Sequence, residues 1–380
     1  MKVLKYTDKV LLLVSVLLFA IGLVMIFSAS NIAAFMRYGA NPYNFLLKQA
    51  FFLGLGVIVS LIVVNFSTKS YSALSWVGIV ATIGILLFVY FFGIVTNKAR
   101  SWIDLGFFRF QPSELAKVII IVWYAAFYEL NRKNLNKLLA NIFPIFISCG
   151  IAALVVLQPD FGTAGVIIIL SFLLYLLMPI KKVIKFKVAS ISVLIISVML
   201  AGYYLFDTSS FSRQISRLDF FNPCSEEKFY TTGNQVCNSY IAINNADLLK
   251  GKGLGNSTQK YLYLPESHTD FIFAIIVEEL GFAAAVGIIF LYILLLYRII
   301  SIGNKSNSSR GSVICYGVAI YIFLHIVINL LGIMGWFPLT GIPLPFLSYG
   351  GTFAICLILA LSMVQRVAIE TRMKDLGILK

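Results

Sequence analysis

Long apolar runs separated by short polar connections extend along the whole chain. The runs cover residues 10–28, 47–66, 74–95, 113–130, 139–157, 162–179, 187–206, 270–298, 312–335 and 346–365. A helix needs about 20 mostly apolar residues to cross a bilayer. The pattern therefore predicts an all-α polytopic membrane protein with about ten transmembrane helices. We expect residues 1–380 to form a single integral membrane domain.

The basic residues indicate which way the predicted helices cross the membrane. With ten spans, one side receives both termini and the connections 131–138, 180–187 and 298–311, and all five segments carry Lys or Arg. Short basic connections stay in the cytoplasm. We therefore expect both termini in the cytoplasm and a multi-pass protein of the cytoplasmic (inner) membrane. This topology accounts for the net charge of +14 without a nucleic-acid partner, because anionic lipid is the nearby counter-charge.

One expected outer connection is much longer than the others. Residues 207–269 form a large extracytoplasmic loop that is too polar to span a membrane yet rich in Phe and Tyr. We expect it to fold against the outer surface. Its two cysteines, Cys224 and Cys237, either form a disulfide, which that compartment permits, or remain free thiols.

Another outer connection breaks the charge rule. Residues 96–112 carry Lys98, Arg100 and Arg109 on the side where basic residues are usually scarce. These residues either are tolerated surface charges or bind an anion.

The sequence Gln111–Lys117 places polar and charged residues at the start of the fourth apolar run. Pro112 suits the first helical position, because its missing N–H costs nothing there. Glu114 and Lys117 then lie three residues apart on one helix face and are expected to pair. They form either a structural ion pair or a site in which Glu114 positions Lys117 for an anionic head group.

Two further motifs lie on the same predicted face. Gln158–Gly162 places Asp160 in the first turn of a helix, where an acid also has a purely structural role, since it complements the helix dipole. Pro338–Gly351 contains three prolines and three glycines, which cannot continue a lipid-facing helix. Irregular backbone at membrane depth must be buried or line a wet cavity. This segment is therefore either a broken or re-entrant element beside a site or a plain loop.

The eighth apolar run begins with a cluster of polar residues. Thr269 is expected to cap this helix, which places Asp270 in its first turn. Asp270 is either an ordinary helix-start acid or a carboxylate at the floor of an outer cleft. Glu278 and Glu279 follow about 12 Å deeper and are unlikely to face lipid. We expect one of them to approach Lys117 and the other to line a cavity.

The chain has only two histidines, His268 and His325. His268 borders Asp270 and either assists it or packs as an ordinary side chain. His325 lies within a span and is expected to be a hydrogen-bonded core residue. The sequence has no nucleotide-binding motif and no Cys/His metal pattern. A reaction on the outer face therefore requires a substrate that arrives already activated.

Taken together and in order, these motifs resemble the FtsW/RodA family of shape, elongation, division and sporulation proteins. The resemblance covers nearly the whole chain and is carried by Arg100–Ile103 with Gln111–Lys117, Gln158–Gly162, Pro265–Gly281 and Pro343–Gly351. It implies a peptidoglycan glycosyltransferase, an inverting hexosyltransferase that polymerises lipid II into glycan strands. The lipid diphosphate would be the leaving group, which fits the absence of a nucleotide motif.

The resemblance also implies roles for individual residues. Asp270 would be the catalytic general base. The implied substrate-binding residues are Lys98, Arg100, Gln111, Lys117, His268 and Ser348, and the implied supporting residues are Glu114, Asp160, Glu278 and Glu279. Mg²⁺ or Mn²⁺ bridging diphosphate and carboxylate is compatible with this chemistry, although no dedicated cage is visible. The family's usual Arg-Arg-Trp is Arg-Ser-Trp here, which puts one phosphate contact in doubt.

Within the family, Gly253–Lys260 resembles the division branch, FtsW, more than the elongation branch, RodA. This implies a role in septal wall synthesis, with a class B penicillin-binding transpeptidase and other division proteins as partners. A lipid II flippase fits the span count and the intramembrane charges equally well, but it would need a polar path through the bilayer. A non-catalytic scaffold would tolerate replacement of Asp270.

Overall fold

The computed structural model of the protein describes residues 2–96, 99–106, 108–216, 221–231, 233–247 and 249–378. Helices dominate this part of the chain. They are α1 (Lys9–Tyr38), α2 (Asn44–Asn65), α3 (Thr68–Phe92), α4 (Pro112–Leu130), α5 (Leu138–Leu157), α6 (Phe161–Leu177), α7 (Lys182–Phe206), α8 (Thr208–Ser216), α9 (Glu226–Phe229), α10 (Asn234–Asn244), α11 (Ile272–Lys305), α12 (Ser309–Ile333) and α13 (Gly351–Asp375). Each of the ten predicted runs overlaps one long helix.

Most of the long helices are able to cross a membrane. Among the described residues, α1, α2, α3, α5, α7, α11, α12 and α13 are long and apolar enough. Helix α6 is apolar but has only 17 residues, and α4 carries Glu114, Lys117 and Glu129 within its 19 residues. The predicted class, an all-α polytopic membrane protein, is confirmed, whereas the count of ten spans stays a prediction.

Helix α4 lies at the centre of the bundle, where it packs against α3, α6, α12 and α13. Its apolar side chains, such as Ile120 and Trp123, are fully buried. Helix α7 lies at the periphery and exposes Phe186 and Val198. Apolar surface exposed on this scale fits contact with lipid rather than water. Glu114 and Lys117 on α4 are likewise buried inside the protein, whereas Glu129 at its end is partly exposed.

Several helices begin where the sequence provides a capping residue. The side chains of Asp8, Ser67, Asp160 and Ser308 each accept a backbone N–H from the first turn of the following helix, which satisfies a donor that has no partner within the helix. Asp160 is thus the N-cap of α6 and not a first-turn residue. Pro112 begins α4, as predicted.

Helix α11 is broken at Gly281, which adopts a φ of 83°. The break frees backbone carbonyls, and the preceding loop satisfies two of them. The N–H groups of Lys252 and Gly253 donate to the carbonyl oxygens of Glu278 and Glu279, each at 2.9 Å. Gly251 lies so close that an added Cβ would be 2.5 Å from the Glu279 oxygen. The loop and the break are therefore built as one unit.

The predicted irregular segment between the last two spans is irregular, and its second half, residues 342–348, is mostly buried. Residues 334–350 contain no helix, and Leu344, Phe346 and Leu347 are almost fully buried. Gly22 of α1 packs directly on this backbone, because a Cβ at Gly22 would overlap the Phe346 carbonyl oxygen. The Tyr292 hydroxyl donates to the Pro345 carbonyl. Protein contacts therefore surround this part of the non-helical backbone. Such burial is expected for irregular backbone at membrane depth, because lipid cannot hydrogen-bond to its N–H and C=O groups.

The outer connections contain structure that the apolar pattern did not predict. Strands β1 (Ile94–Thr96), β2 (Ala99–Asp104) and β3 (Arg109–Phe110) form a small antiparallel sheet in the order β1-β2-β3. Within the long loop 207–269, which is predicted to be extracytoplasmic, α10 docks on the end of α12. There the hydroxyl of Ser239 donates to the Ile333 carbonyl at 2.9 Å.

Candidate active site

The four polar motifs meet at one end of the helix bundle. The Gln111 side-chain amide at the start of α4 donates to the Asp160 carboxylate at the start of α6, at 3.2 Å. Gly162 lies against Thr340, where an added Cβ would be 2.7 Å from the Thr340 carbonyl oxygen. The next residue along the chain, Gly341, lies near the carboxylate of Asp270. One continuous set of contacts thus joins segments far apart in sequence.

Asp270 lies just before α11. Its backbone carbonyl accepts from the Asn329 amide at 2.8 Å, and the same amide donates to the Ile342 carbonyl at 2.9 Å. An added Cβ at Gly341, which has a φ of 70°, would be 3.4 Å from Asp270 Oδ2. Asn329 therefore fixes the Asp270 backbone beside the irregular segment, while glycine leaves room at the carboxylate.

The prediction that Thr269 caps the eighth span is wrong. The N-cap of α11 is Phe271, and the Thr269 hydroxyl instead donates to the Glu266 carboxylate at 2.9 Å. Asp270 consequently precedes the helix and is not in its first turn. The residue as a whole is half-buried at this end of the bundle.

The surroundings of Asp270 suit a general base. Burial disfavours the charged carboxylate and raises the pKa of Asp270 to about 7, and the neighbouring Glu266 carboxylate adds to the effect. A base is most effective when its pKa lies near the working pH. Asp270 can therefore exchange a proton under ordinary conditions, which an unperturbed aspartate does far less well.

His268 packs beside this carboxylate as a largely buried ring. Its ring centroid lies 4.5 Å from that of Phe45 and 5.8 Å from that of Tyr349. Burial lowers the pKa of His268; the Glu266 carboxylate opposes this shift, and the Arg37 guanidinium adds to it. The ring is therefore neutral at pH 7. Its Nδ1 atom is buried without a hydrogen-bond partner among the described residues.

Lys117 is enclosed in a chain of hydrogen bonds and not open to solvent. Its ammonium group lies 2.7 Å from the Glu114 carboxylate, which confirms the predicted pair, and 3.0 Å from Nε2 of His325. Nδ1 of His325 lies 3.3 Å from the Pro343 carbonyl oxygen. Because a carbonyl only accepts, Nδ1 must carry the proton and Nε2 must accept from Lys117. His325 is thus a hydrogen-bonded core residue, as predicted.

The prediction that Glu278 or Glu279 approaches Lys117 is wrong. Glu278 pairs with Lys252 at 3.0 Å, and Glu279 pairs with Lys260 at 3.2 Å. Both lysines belong to the long loop 207–269, so the two acids hold that loop against the broken part of α11. The sequence could not predict which lysines pair with Glu278 and Glu279, because the loop and α11 come into contact only in the folded chain.

The remaining predicted substrate-binding residues differ in how they are placed. Arg100 in β2 is exposed, and one of its guanidinium nitrogens donates to the Phe91 carbonyl at 3.2 Å. The Ser348 hydroxyl donates to the Thr269 carbonyl at 2.6 Å and orders the backbone beside Asp270. Lys98 lies outside the described residues. Substrate contacts of these residues stay predictions.

Cys224 and Cys237 form a disulfide. The bridge joins the segment before α9 to α10, the helix that docks on the end of α12. Of the two alternatives that the sequence left open, the structure therefore has the bridged form.

A family model described as "Cell cycle protein", which covers FtsW, RodA and SpoVE, matches residues 8–373. The chain belongs to the FtsW/RodA/SpoVE family. The motifs that suggested this resemblance are the segments that the structure brings together around Asp270.

Individual relatives of the FtsW/RodA/SpoVE family match almost the full chain. The Bacillus subtilis (strain 168) protein named "Probable peptidoglycan glycosyltransferase FtsW" is 32% identical, with 98% of this chain and 93% of the relative covered. Stage V sporulation protein E of the same organism is also 32% identical, with 96% and 98% covered. A solved chain from a peptidoglycan synthase complex has a TM-score of 0.74 at 23% identity, with 96% and 98% covered, and shows the same fold.

Sequence reasoning missed three residues that shape the site in this family member. Asn329 gave one signal, since it is an amide four residues after His325 in an otherwise apolar run. Glu266 and Arg37 gave none, because their influence on Asp270 and His268 depends on distances that exist only in the folded chain.

Proposed function

We propose that this protein is a peptidoglycan glycosyltransferase that polymerises lipid II into glycan strands during septal wall synthesis. The observation that carries the proposal is the position of the Asp270 carboxylate, which has a pKa of about 7, at the meeting point of the four motifs. The name of the Bacillus subtilis relative supports the same activity.

In the proposed reaction, Asp270 accepts the proton of a hydroxyl on the acceptor sugar. The hydroxyl oxygen forms a bond to the anomeric carbon of the donor sugar, while the bond between that carbon and the lipid diphosphate breaks. The diphosphate leaves with the bonding electron pair. Attack opposite the leaving group inverts the anomeric centre. The donor supplies its own activation, so no nucleotide is needed.

We also propose that basic residues at this end of the bundle bind the diphosphate. Arg100 is the best placed of them, because it is exposed on β2. A guanidinium group can donate two parallel hydrogen bonds to a phosphate. Lys98, beside it in sequence, belongs to the same proposal. Lys117 is buried, so it would act on the leaving group indirectly, through His325 and the Pro343 carbonyl of the segment beside Asp270.

Mg²⁺ or Mn²⁺ remains a prediction. Within the described residues, no three or more His, Cys, Asp or Glu side chains gather to hold a metal. The chain offers no cage of its own there, so the substrate diphosphate would supply most of the ligands. No step in the proposed mechanism depends on the cation.

The placement of the site implies partners and a location. The solved relative with the same fold belongs to a complex that coordinates polymerisation with crosslinking. We propose that this protein likewise works with a class B penicillin-binding transpeptidase. We further propose that it lies in the cytoplasmic membrane with both termini inside and Asp270 at the outer face, as the distribution of Lys and Arg predicts.

The test is polymerisation of lipid II by the purified full-length protein with its transpeptidase partner. We expect wild type to make glycan strands. We expect Asp270→Asn to polymerise at least about 100-fold more slowly, because general-base catalysis contributes about 100-fold or more to a rate. Asp247→Asn is the matched control, because Asp247 is an exposed aspartate in the large extracytoplasmic loop. Equal strand synthesis by Asp270→Asn would refute the assignment. Movement of lipid II across liposomes without polymer would favour the flippase.

A further inference from the structure

A polar cleft of about 270 Å³ lies at the opposite end of the bundle from Asp270. It is formed where α3 and α12 begin and where α13 ends, and all three helices run from there toward the candidate active site or back from it. By the distribution of Lys and Arg, this is the predicted cytoplasmic end. The proposed glycosyltransferase chemistry does not use the cleft.

The cleft is strongly basic. Four of its lining residues are cationic, namely Lys69, Arg310, Arg366 and Lys374, whereas Glu370 is the only acid among them. Lys69 and Lys374 are exposed, while Arg310 and Arg366 are more than nine-tenths buried. Two cations thus form the floor of the cleft and two form its rim.

Glu370 neutralises Arg366 but not the two lysines at the rim of the cleft. Its carboxylate accepts from the Thr68 backbone at 2.8 Å, from the Thr68 hydroxyl at 2.6 Å and from Arg366 at 2.9 Å. These bonds pair it with Arg366 and with the first residue of α3. Lys69 and Lys374 have no carboxylate partner among the described residues, so the rim keeps its positive charge.

Arg310 adds an unused donor. Its two terminal nitrogens bond to Glu129 at 3.2 Å and to Ser72 at 3.3 Å. Its Nε atom is buried and has no hydrogen-bond partner among the described residues. A buried guanidinium N–H without an acceptor is costly. Arg310 also lines the cleft, so the site contains a buried guanidinium with unused hydrogen-bonding capacity.

Two of the three helices at the cleft, α3 and α12, begin there and favour an anion, whereas α13 ends there. Ser67 and Ser308 are the N-caps of α3 and α12, and both line the cleft. The positive ends of two helix dipoles therefore lie at its edge.

We propose that this cleft binds a phosphate group, supplied either by the head group of an anionic phospholipid or by free phosphate. Basic pockets between helices at the cytoplasmic surface bind phospholipid head groups, and guanidinium and ammonium groups bind phosphate through charge-assisted hydrogen bonds. The volume is below the roughly 300–1,000 Å³ of pockets for larger ligands, which fits a compact head group. A bound phosphate would link α3, α12 and α13.

The test is thermal unfolding of the purified full-length protein in neutral detergent. Phosphatidylglycerol, phosphatidylcholine and inorganic phosphate are titrated separately. We expect phosphatidylglycerol to raise the Tm in a saturable manner and phosphatidylcholine to leave it unchanged. In Lys69→Gln/Lys374→Gln, the apparent affinity for phosphatidylglycerol should fall about fivefold for each lysine. This factor corresponds to a loss of about 1 kcal/mol of binding free energy per basic residue. Arg310→Gln is avoided, since it would leave Glu129 without its partner.

The matched control is Lys133→Gln/Lys137→Gln. It removes the same charge from exposed lysines at the same end, outside the cleft. We expect this control to keep the affinity of wild type. A saturable shift with inorganic phosphate that depends on Lys69 and Lys374 would identify free phosphate as the source, and a shift with phosphatidylglycerol alone would identify the lipid. Equal affinities of the two double variants, or no saturable shift with either anion, would overturn the proposal.

Discussion

Lys117 has two possible uses that a single substitution does not separate. It is buried in an ion pair with Glu114, and it is also a proposed partner of the diphosphate. Replacing Lys117 with Met leaves the Glu114 charge buried without a partner, which we expect to cost about 3–5 kcal/mol of folding stability. In Glu114→Gln/Lys117→Met, most of that stability should return. Thermal unfolding of the two variants measures the difference.

Polymerisation by the same double variant then tests the chemical role of Lys117. If Lys117 stabilises the leaving group, the double variant should unfold at nearly the temperature of wild type but polymerise lipid II more slowly. Recovery of both stability and rate would show that the pair is only structural, because the two effects would then share one cause.

At the scale of single residues, the sequence identified the side chains with the strongest chemistry. Asp270 and Lys117 were visible because a charge beside or within an apolar run is expensive and rarely incidental. The Glu278 and Glu279 partners were not predictable, since a buried acid requires some cation but does not specify which one. The structure places the loop lysines, not Lys117, within reach.

At the scale of elements, the broken helix α11 and the loop before it form one unit held by two unequal ion pairs. Lys260 and Glu279 are both almost fully buried, whereas Lys252 is 31% exposed in its pair with Glu278. We expect Lys260→Met to lower the free energy of unfolding by about 3–5 kcal/mol. Lys252→Met should cost about 1 kcal/mol or less, because solvent screens an exposed partner.

Chemical or thermal unfolding of the two lysine variants checks this difference. Limited proteolysis should also cut the large extracytoplasmic loop faster in Lys260→Met than in Lys252→Met. Equal destabilisation by the two substitutions would contradict the view that burial decides the strength of each pair.

The helices themselves were predictable because their length and hydropathy are set by the bilayer. The break at Gly281 was not, since one glycine in an apolar run also fits a continuous helix. The Glu278 and Glu279 carbonyls beside this break accept from the backbone N–H groups of Lys252 and Gly253, which lie in the preceding loop. Strands β1 to β3 were missed because three short strands leave no alternating apolar pattern.

At the scale of the whole molecule, the predicted topology puts the Asp270 end outside the membrane and the basic cleft inside. Leu105 is exposed in the β2–β3 connection, and Lys133 is exposed between α4 and α5. We expect a membrane-impermeant maleimide to label Leu105→Cys in intact spheroplasts. Lys133→Cys should react only after permeabilisation. The reverse pattern would contradict the orientation.

The native cysteines leave a low background for this experiment. Cys149, Cys315 and Cys356 are buried, and Cys224 is bridged to Cys237. Wild type is therefore the control for unspecific labelling, and we expect it to remain unlabelled in intact spheroplasts.

The pH dependence of glycan polymerisation tests the central claim, that Asp270 acts as a base, most directly. Only the ionised carboxylate accepts a proton, and the pKa of Asp270 is about 7, so the rate should rise with pH through a midpoint near that value. Glu266→Gln removes a neighbouring negative charge that raises this pKa. In that variant the midpoint should move to lower pH while the maximal rate is kept. A rate that is flat or falling between pH 6 and 8 would contradict the account, as would an identical profile in Glu266→Gln.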